Sequence, residues 1–167
     1  MSTGEQIIPV VNKQDEIIWY KPRKDITHDD IYRVAACRIT DDEGNILLAQ
    51  RAWTKKHNPG KRWPAVVWTV AQGETYQQNI LHEIYEEIWL QVTSQDITLW
   101  FKSFFDHDWQ YFWQWFFLTY TWPKDALQPE VWAVEQLRRC TKEELKTYLL
   151  THPDEYSLSI HKLIELL

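Results

Sequence analysis

The segment from Gly73 to Leu90, GETYQQNILHEIYEEIWL, constrains this chain more than any other part of it. It carries Glu83, Glu86 and Glu87 at offsets of 0, 3 and 4, which a helix gathers into one patch. Ile80, Ile84 and Ile88 repeat every four residues and form a stripe about a third of a turn away. One face can then be buried while the other holds three oxygen donors together. Like charges this close repel by roughly a few tenths of a kcal/mol per pair on an isolated helix. A hard divalent cation such as Mg²⁺ removes that cost, and carboxylates are the ligands it prefers. A solvated acidic face satisfies the same spacing, so the pattern alone leaves both readings open.

The 167 residues suit one domain with its own core, and we read 1–167 as a single domain. The net charge of −6 comes with no basic stripe, which argues against a polymeric nucleic-acid partner. A small phosphorylated partner remains compatible, because a few local cations and a metal suffice for it. Cys37 and Cys140 are too few for a disulfide framework and fit a reducing compartment. Met1 to Gln6 lack the basic start and apolar core of a signal segment, and no apolar run reaches membrane-spanning length. The expectation is a soluble, cytoplasmic protein with no membrane partner.

Eleven tryptophans stand against four glycines. Average glycine usage of about 7% would give roughly a dozen in this length. Several tryptophans also sit where a turn favours Gly. Trp109 follows Asp106-His107-Asp108 between two apolar runs, a hairpin position. Trp89 follows the glutamate helix at its left-handed terminus, and Trp122 ends a strand-like run.

Along the chain, residues 6–20 read as an opening strand region and 20–30 as a polar loop. Residues 31–39 and 46–51 read as a hairpin around the turn 41–45. A basic loop at 54–61 precedes an apolar strand at 63–71, and the helix runs over about 75–88. Residues 97–105 and 110–120 form a second strand pair. Its run Tyr111 to Leu118 is aromatic on both faces and must be covered on both. A strand follows at 131–139. Thr141-Lys142-Glu143-Glu144 forms a capping box that opens a helix to about 150, and a last helix begins near 154. Irregular alternation of strands and helices predicts an α/β fold, a mixed sheet covered by helices.

This arrangement resembles the Nudix hydrolase superfamily. The family signature is Gly, five residues, Glu, seven residues, Arg-Glu, an aliphatic, any residue, Glu-Glu, any residue, Gly and an aliphatic. In this frame the chain reads Trp68, Glu74 and then His82-Glu83-Ile84-Tyr85-Glu86-Glu87-Ile88-Trp89-Leu90. The four glutamates and both aliphatic positions match; both glycines are Trp and the arginine is His. The order of elements is similar to the family over roughly 8–150. The N-terminal two-thirds looks closest to the branch of isopentenyl-diphosphate isomerase and its hydrolase-like relatives. The strand at 63–71, however, has neither the catalytic Cys of the isomerase nor a His. The Trp/Gly imbalance suggests an altered version of an ordinary Nudix sequence, with Gly replaced by Trp at many sites.

The resemblance implies an α/β/α sandwich with a mixed β-sheet and Mg²⁺-dependent hydrolysis of a diphosphate linked to another moiety, with Mn²⁺ as an alternative ion. Glu83, Glu86 and Glu87 become the metal ligands and catalytic carboxylates. One of them, or a carboxylate from 104–108, takes the proton from water. Arg51 is the first phosphate-binding candidate, followed by Lys55 and Lys56. Phe104, Phe105, Tyr111 and Trp115 are candidates for stacking a base or covering an apolar group. Glu74 supports the helix by pairing with His82. That pair is weaker and pH-dependent, because imidazole, unlike guanidinium, loses its charge near neutral pH. Trp68, by filling the phosphate pocket, and Trp89, by shifting the helix end, are expected to lower turnover. Dimerisation is common in the family. Two readings compete with the enzyme: a non-catalytic, engineered or natural binding module using the same pocket, and a self-associating scaffold built on exposed aromatics.

Overall fold

Residues 6–64, 66–121, 127, 129, 132–158, 160 and 161 are described by a computed structural model. The opening region is a hairpin, β1 (Ile7–Val11) and β2 (Ile17–Pro22), ending in a 3-10 turn at Arg23–Asp25. Asp15, at φ 62, makes the turn between the two strands. The remaining strands are β3 (Ile31–Thr40), β4 (Ile46–Arg51), β5 (Arg62–Pro64), β6 (Val66–Thr69), β7 (Ile97–Asp106), β8 (Gln110–Thr119) and β9 (Val134–Cys140). The helices are α1 (Tyr76–Ile88) and α2 (Lys142–Thr151).

β3 organises one mixed sheet. It runs parallel to β8 in register from Ile31↔Gln110 to Thr40↔Thr119 and antiparallel to β6 from Val34↔Thr69 to Cys37↔Val66. β1 joins the start of β3, with β2 outside it, and β7 pairs with β8. The hairpin predicted from 31–51 opens at once: β3 and β4 share only Thr40↔Ile46. β4 instead lies between β5 and β9. The strand expected over 63–71 is likewise two short strands, β5 on β4 and β6 on β3. One apolar run thereby serves two parts of the sheet.

Alternation in the strands fills both faces. Ala35, Cys37, Phe116 and Leu118 meet Ile80, Ile84 and Ile88 of α1 on one face. Val34, Ala36, Trp113 and Trp115 meet Leu145 and Leu149 of α2, with Tyr156 and Ile160, on the other. The aromatic strand is thus covered on both sides, and the layers are α/β/α. α2 starts on the predicted capping box, with Thr141 Oγ1 accepting from Glu144 N at 3.1 Å. The last helix does not begin at 154: Pro153–Glu155 is a 3-10 turn, Tyr156 bridges Arg62, and helical residues start at 158. Among the described residues no helix is long and apolar enough to cross a membrane.

The tryptophan turn slots divide. Trp89 has φ 58 and ψ 30, the left-handed conformation expected there. Trp109 and Trp68 do not have positive φ. Trp109 stacks on His28 with ring centroids 4.3 Å apart, and Trp68 lies in the extended β6 opposite Ala35. Trp122 lies outside the described residues.

Candidate functional site

A reciprocal cap sets the phase of α1. Thr75 Oγ1 accepts from Gln78 N at 3.1 Å, and Gln78 Oε1 accepts from Thr75 N at 2.9 Å. With Ile80, Ile84 and Ile88 fully buried, Glu83 and Glu87 are carried to the flank of the same face, 6% and 7% exposed. They stand one helical turn apart. Neither makes a hydrogen bond or ion pair with a described residue. Glu86 is exposed, with Oε1 3.1 Å from His82 Nε2. His82 Nδ1 lies 3.5 Å from Glu74 Oε1, and Glu74 Oε2 accepts from Asn79 Nδ2 at 2.9 Å. Glu74, His82 and Glu86 therefore form a polar chain on the outer surface of the helix, beside the buried pair.

Burial pushes the Glu83 carboxyl up to about 9, reinforced by Glu87, Glu86 and Glu74 and opposed by Arg23. Burial also pushes Glu87 up to about 8, with Arg51 and Lys55 pulling down and Glu86 adding to the rise. Two carboxyls that resist ionisation on adjacent turns are a site short of positive charge.

Three cations approach this pair. Arg51, at the end of β4, lines a small cavity with Glu87, Trp63, Pro64 and Val67. Its Nε donates to the His57 carbonyl at 2.7 Å, and its guanidinium lies 5.4 Å from the Trp63 ring centroid. Lys55 Nζ lies 3.9 Å from the Trp132 ring centroid. The loop holding Lys55 closes at Gly60, whose N–H donates to the Arg51 carbonyl at 3.1 Å. Gly60 has φ 69, and a Cβ there would collide with the Trp53 ring, so this position requires glycine.

Arg23 is the third cation, and sequence reasoning missed it inside a segment read as a polar loop. The β1–β2 hairpin delivers it. Its N–H donates to the Gln6 carbonyl at 2.7 Å, and its guanidinium stacks 4.8 Å over Trp68. Burial lowers the pKa of Arg23, and Tyr32, Arg51 and Glu83 lie close enough to act on its charge. No local motif marks Arg23; a lone cation after a strand is its only signal.

The other candidates fall elsewhere. Tyr111 stacks on Phe105 at 4.7 Å and lies 5.4 Å from Tyr32, the neighbour of Arg23, so it borders the cation region through Tyr32. Phe104 packs on Phe112 at 5.1 Å within the β7–β8 hairpin and does not line the Glu87 cavity. Phe105 and Trp115 are buried, and Lys56 is exposed.

Among the described residues no three His, Cys, Asp or Glu side chains converge as a metal cage. The donor set that fits a cation is Glu83 and Glu87: buried, without a hydrogen bond or ion pair among the described residues, oxygen-donating and mutually repelling. Mg²⁺ commonly takes only one or two carboxylates, with water and substrate phosphates completing its shell.

No curated protein matches this sequence significantly. Among solved structures, the DR0079 protein of Deinococcus radiodurans is similar over 96% of this chain and 98% of its own, at TM-score 0.81 and 17% identity. A MutT protein from Methanosarcina mazei Go1 is similar over 81% of this chain and 91% of its own, at TM-score 0.65 and 14% identity. A bifunctional NMN adenylyltransferase/ADP ribose pyrophosphatase from Francisella tularensis, complexed with AMP and a Mn ion, is similar over 81% of this chain. That match covers 40% of the larger protein, at TM-score 0.61 and 14% identity. These likenesses concern the fold. The NUDIX domain family matches residues 31–161, which span β3 to the segment after α2 and enclose the glutamate helix; the chain belongs to the Nudix family.

Proposed function

We propose that this protein is a metal-dependent Nudix-type pyrophosphohydrolase that cleaves a diphosphate linked to another moiety, using Mg²⁺ or Mn²⁺. The reading rests on Glu83 and Glu87, two buried carboxylates one turn apart, with no hydrogen bond or ion pair among the described residues and with three cations nearby. Glu83 and Glu87 would hold the ion. When bound, it neutralises charge developing on the phosphate oxygens. Arg51, Lys55 and Arg23 bind and orient the phosphate chain. Glu86 is the accessible carboxylate, oriented by His82, and accepts the proton of the attacking water. Net charge and the small basic cluster favour a small phosphorylated substrate over a nucleic-acid polymer. Family membership and the Mn ion named with the Francisella neighbour support the choice of metal. A hydrolase fits better than an isomerase: Cys37 lies in β3 and Cys140 in β9, neither in β5 or β6 directly before the glutamate helix, and both thiols are buried.

Turnover is reduced relative to a chain with glycine at position 89, because a left-handed Trp strains the helix end carrying Glu86 and Glu87. Trp68, expected to fill the phosphate pocket, belongs to the extended β6, with its ring against Arg23. The test is phosphate release from nucleoside diphosphate derivatives and isoprenoid diphosphates with and without Mg²⁺. The Glu86→Ala/Glu87→Ala variant serves as control. Ion-dependent release by the parent and none by the variant supports the reading; release unaffected by both removes it.

One observation favours self-association as a second property. Four consecutive residues of the edge strand β2, Ile17, Ile18, Trp19 and Tyr20, are 43% to 66% exposed. Pairing of this edge with a second copy would cover them. Sedimentation that stays monomeric up to high concentration removes this reading.

A further inference from the structure

Arg23, Arg51 and Lys55, the three cations that act electrostatically on Glu83 and Glu87, share a feature. Each has a tryptophan ring beside its charged group. Arg23 lies 4.8 Å from the Trp68 ring centroid, Arg51 5.4 Å from that of Trp63, and Lys55 3.9 Å from that of Trp132. The rings come from three separate places: β6, β5 and the turn before β9. Among the described residues none of these cations closes an ion pair with a carboxylate, although Glu87 feels both Arg51 and Lys55 and Glu83 feels Arg23. Arg51 spends its Nε on a backbone carbonyl, and Arg23 reaches the side-chain oxygen of Gln6 at 3.4 Å.

We infer that Trp63, Trp68 and Trp132 are positioning residues that hold Arg51, Arg23 and Lys55 at the rim of the acidic pair, open to an incoming diphosphate. The physical argument is a competition. A flexible cation near two buried carboxylates gains by collapsing onto them. A collapsed cation would neutralise the pair and lose its free N–H donors at the same time. An indole face attracts the cation without using those donors, and Trp is the strongest ring for this. Arg and Lys held this way keep their charge and their hydrogen-bonding edges for phosphate oxygens. Three fixed cations also match the charge of a diphosphate better than that of a monophosphate.

The inference rests on the same site as the proposed hydrolysis, so its test does not use turnover. Inorganic diphosphate is titrated calorimetrically into the protein with EDTA present. Trp132 is chosen because it is 46% exposed and its replacement leaves the core intact. Trp132→Leu should weaken diphosphate binding about three- to tenfold, and Trp132→Phe should restore it to within about twofold. Lys55→Ala should produce a similar loss. Trp132→Leu/Lys55→Ala should be no weaker than Lys55→Ala alone, because the ring acts through the lysine. Thermal midpoints of all variants should agree closely with the parent. Additive losses in the double variant, equal effects of Leu and Phe, or no diphosphate binding by the parent overturns the inference. Non-additive coupling in a protein that hydrolyses nothing would leave the inference standing and remove the proposed activity. Hydrolysis with additive losses would do the reverse.

Discussion

Glu83→Gln should make the metal-free protein more stable at alkaline pH while removing ion binding. Glu83 is 6% exposed, and its carboxyl is raised from 4.5 to about 9, chiefly by burial and then by its acidic neighbours. The sign follows from linkage: an acid whose folded pKa is raised costs nothing below the unfolded value. Its cost grows as pH rises from about 4.5 to about 9 and is constant above that. At pH 8 the unfolded carboxyl lies about 3.5 pH units past its midpoint. At about 1.4 kcal/mol per unit, the upper bound is about 5 kcal/mol. A buried neutral amide brings its own cost of about 1–3 kcal/mol when poorly partnered. The expected net effect is therefore a gain of about 2–4 kcal/mol at pH 8 and, because only about 0.7 kcal/mol of relief then meets the same amide cost, a loss of up to about 2 kcal/mol at pH 5. Urea unfolding in EDTA at both pH values measures it, with the slope of the transition checked for constancy. The parent should itself be less stable at pH 8 than at pH 5 through this group. A Glu83→Gln variant no more stable than the parent at pH 8, or equally stabilised at both pH values, refutes the account of Glu83 as an electrostatically frustrated ligand.

Added Mg²⁺ or Mn²⁺ should raise the unfolding temperature more at pH 8 than at pH 5 and should release protons on binding, since carboxyls held near 8 and 9 must ionise to coordinate; calorimetry in buffers of different ionisation enthalpy counts the protons. Trp89→Gly should stabilise the protein by about 1 kcal/mol, seen as a higher urea midpoint, because it relieves a left-handed residue at the end of α1. Arg51→Ala should lower kcat/KM by about ten- to hundredfold, with little change in unfolding temperature, through loss of a charge-assisted phosphate contact. Trp19→Lys should suppress any concentration-dependent sedimentation, since it places a charge in the exposed β2 edge.

The local elements were legible in the residues because each has a local cause. The isoleucine stripe sets the buried face of α1, the Thr141 capping box starts α2, and the alternating aromatics of β8 demand two covered faces. Trp89 at a left-handed terminus was legible for the same reason: helix ends impose a φ that the next residue must adopt. What failed was pairing. The 31–51 hairpin was inferred from turn chemistry at 41–45, but β3 satisfies its backbone with β6 and β8 and leaves β4 to β5 and β9. Backbone hydrogen bonds carry no side-chain signature, so a turn predicts a change of direction and not the partner.

The site divides along the same line. By itself the sequence determined that Glu83, Glu86 and Glu87 share one region of one helix, because their spacing is a property of helical geometry alone. It also determined that a basic loop and a strand ending in Arg51 exist. Only the tertiary structure decided that Glu83 and Glu87 are buried while Glu86 turns outward to His82, because burial depends on which neighbours pack over each turn. It also brought Arg23 from a hairpin some sixty residues earlier beside Glu83, and set one indole under each cation. Charges separated that far along the chain meet only through strand pairing and core packing, and it is their proximity that turns an acidic helix into a site.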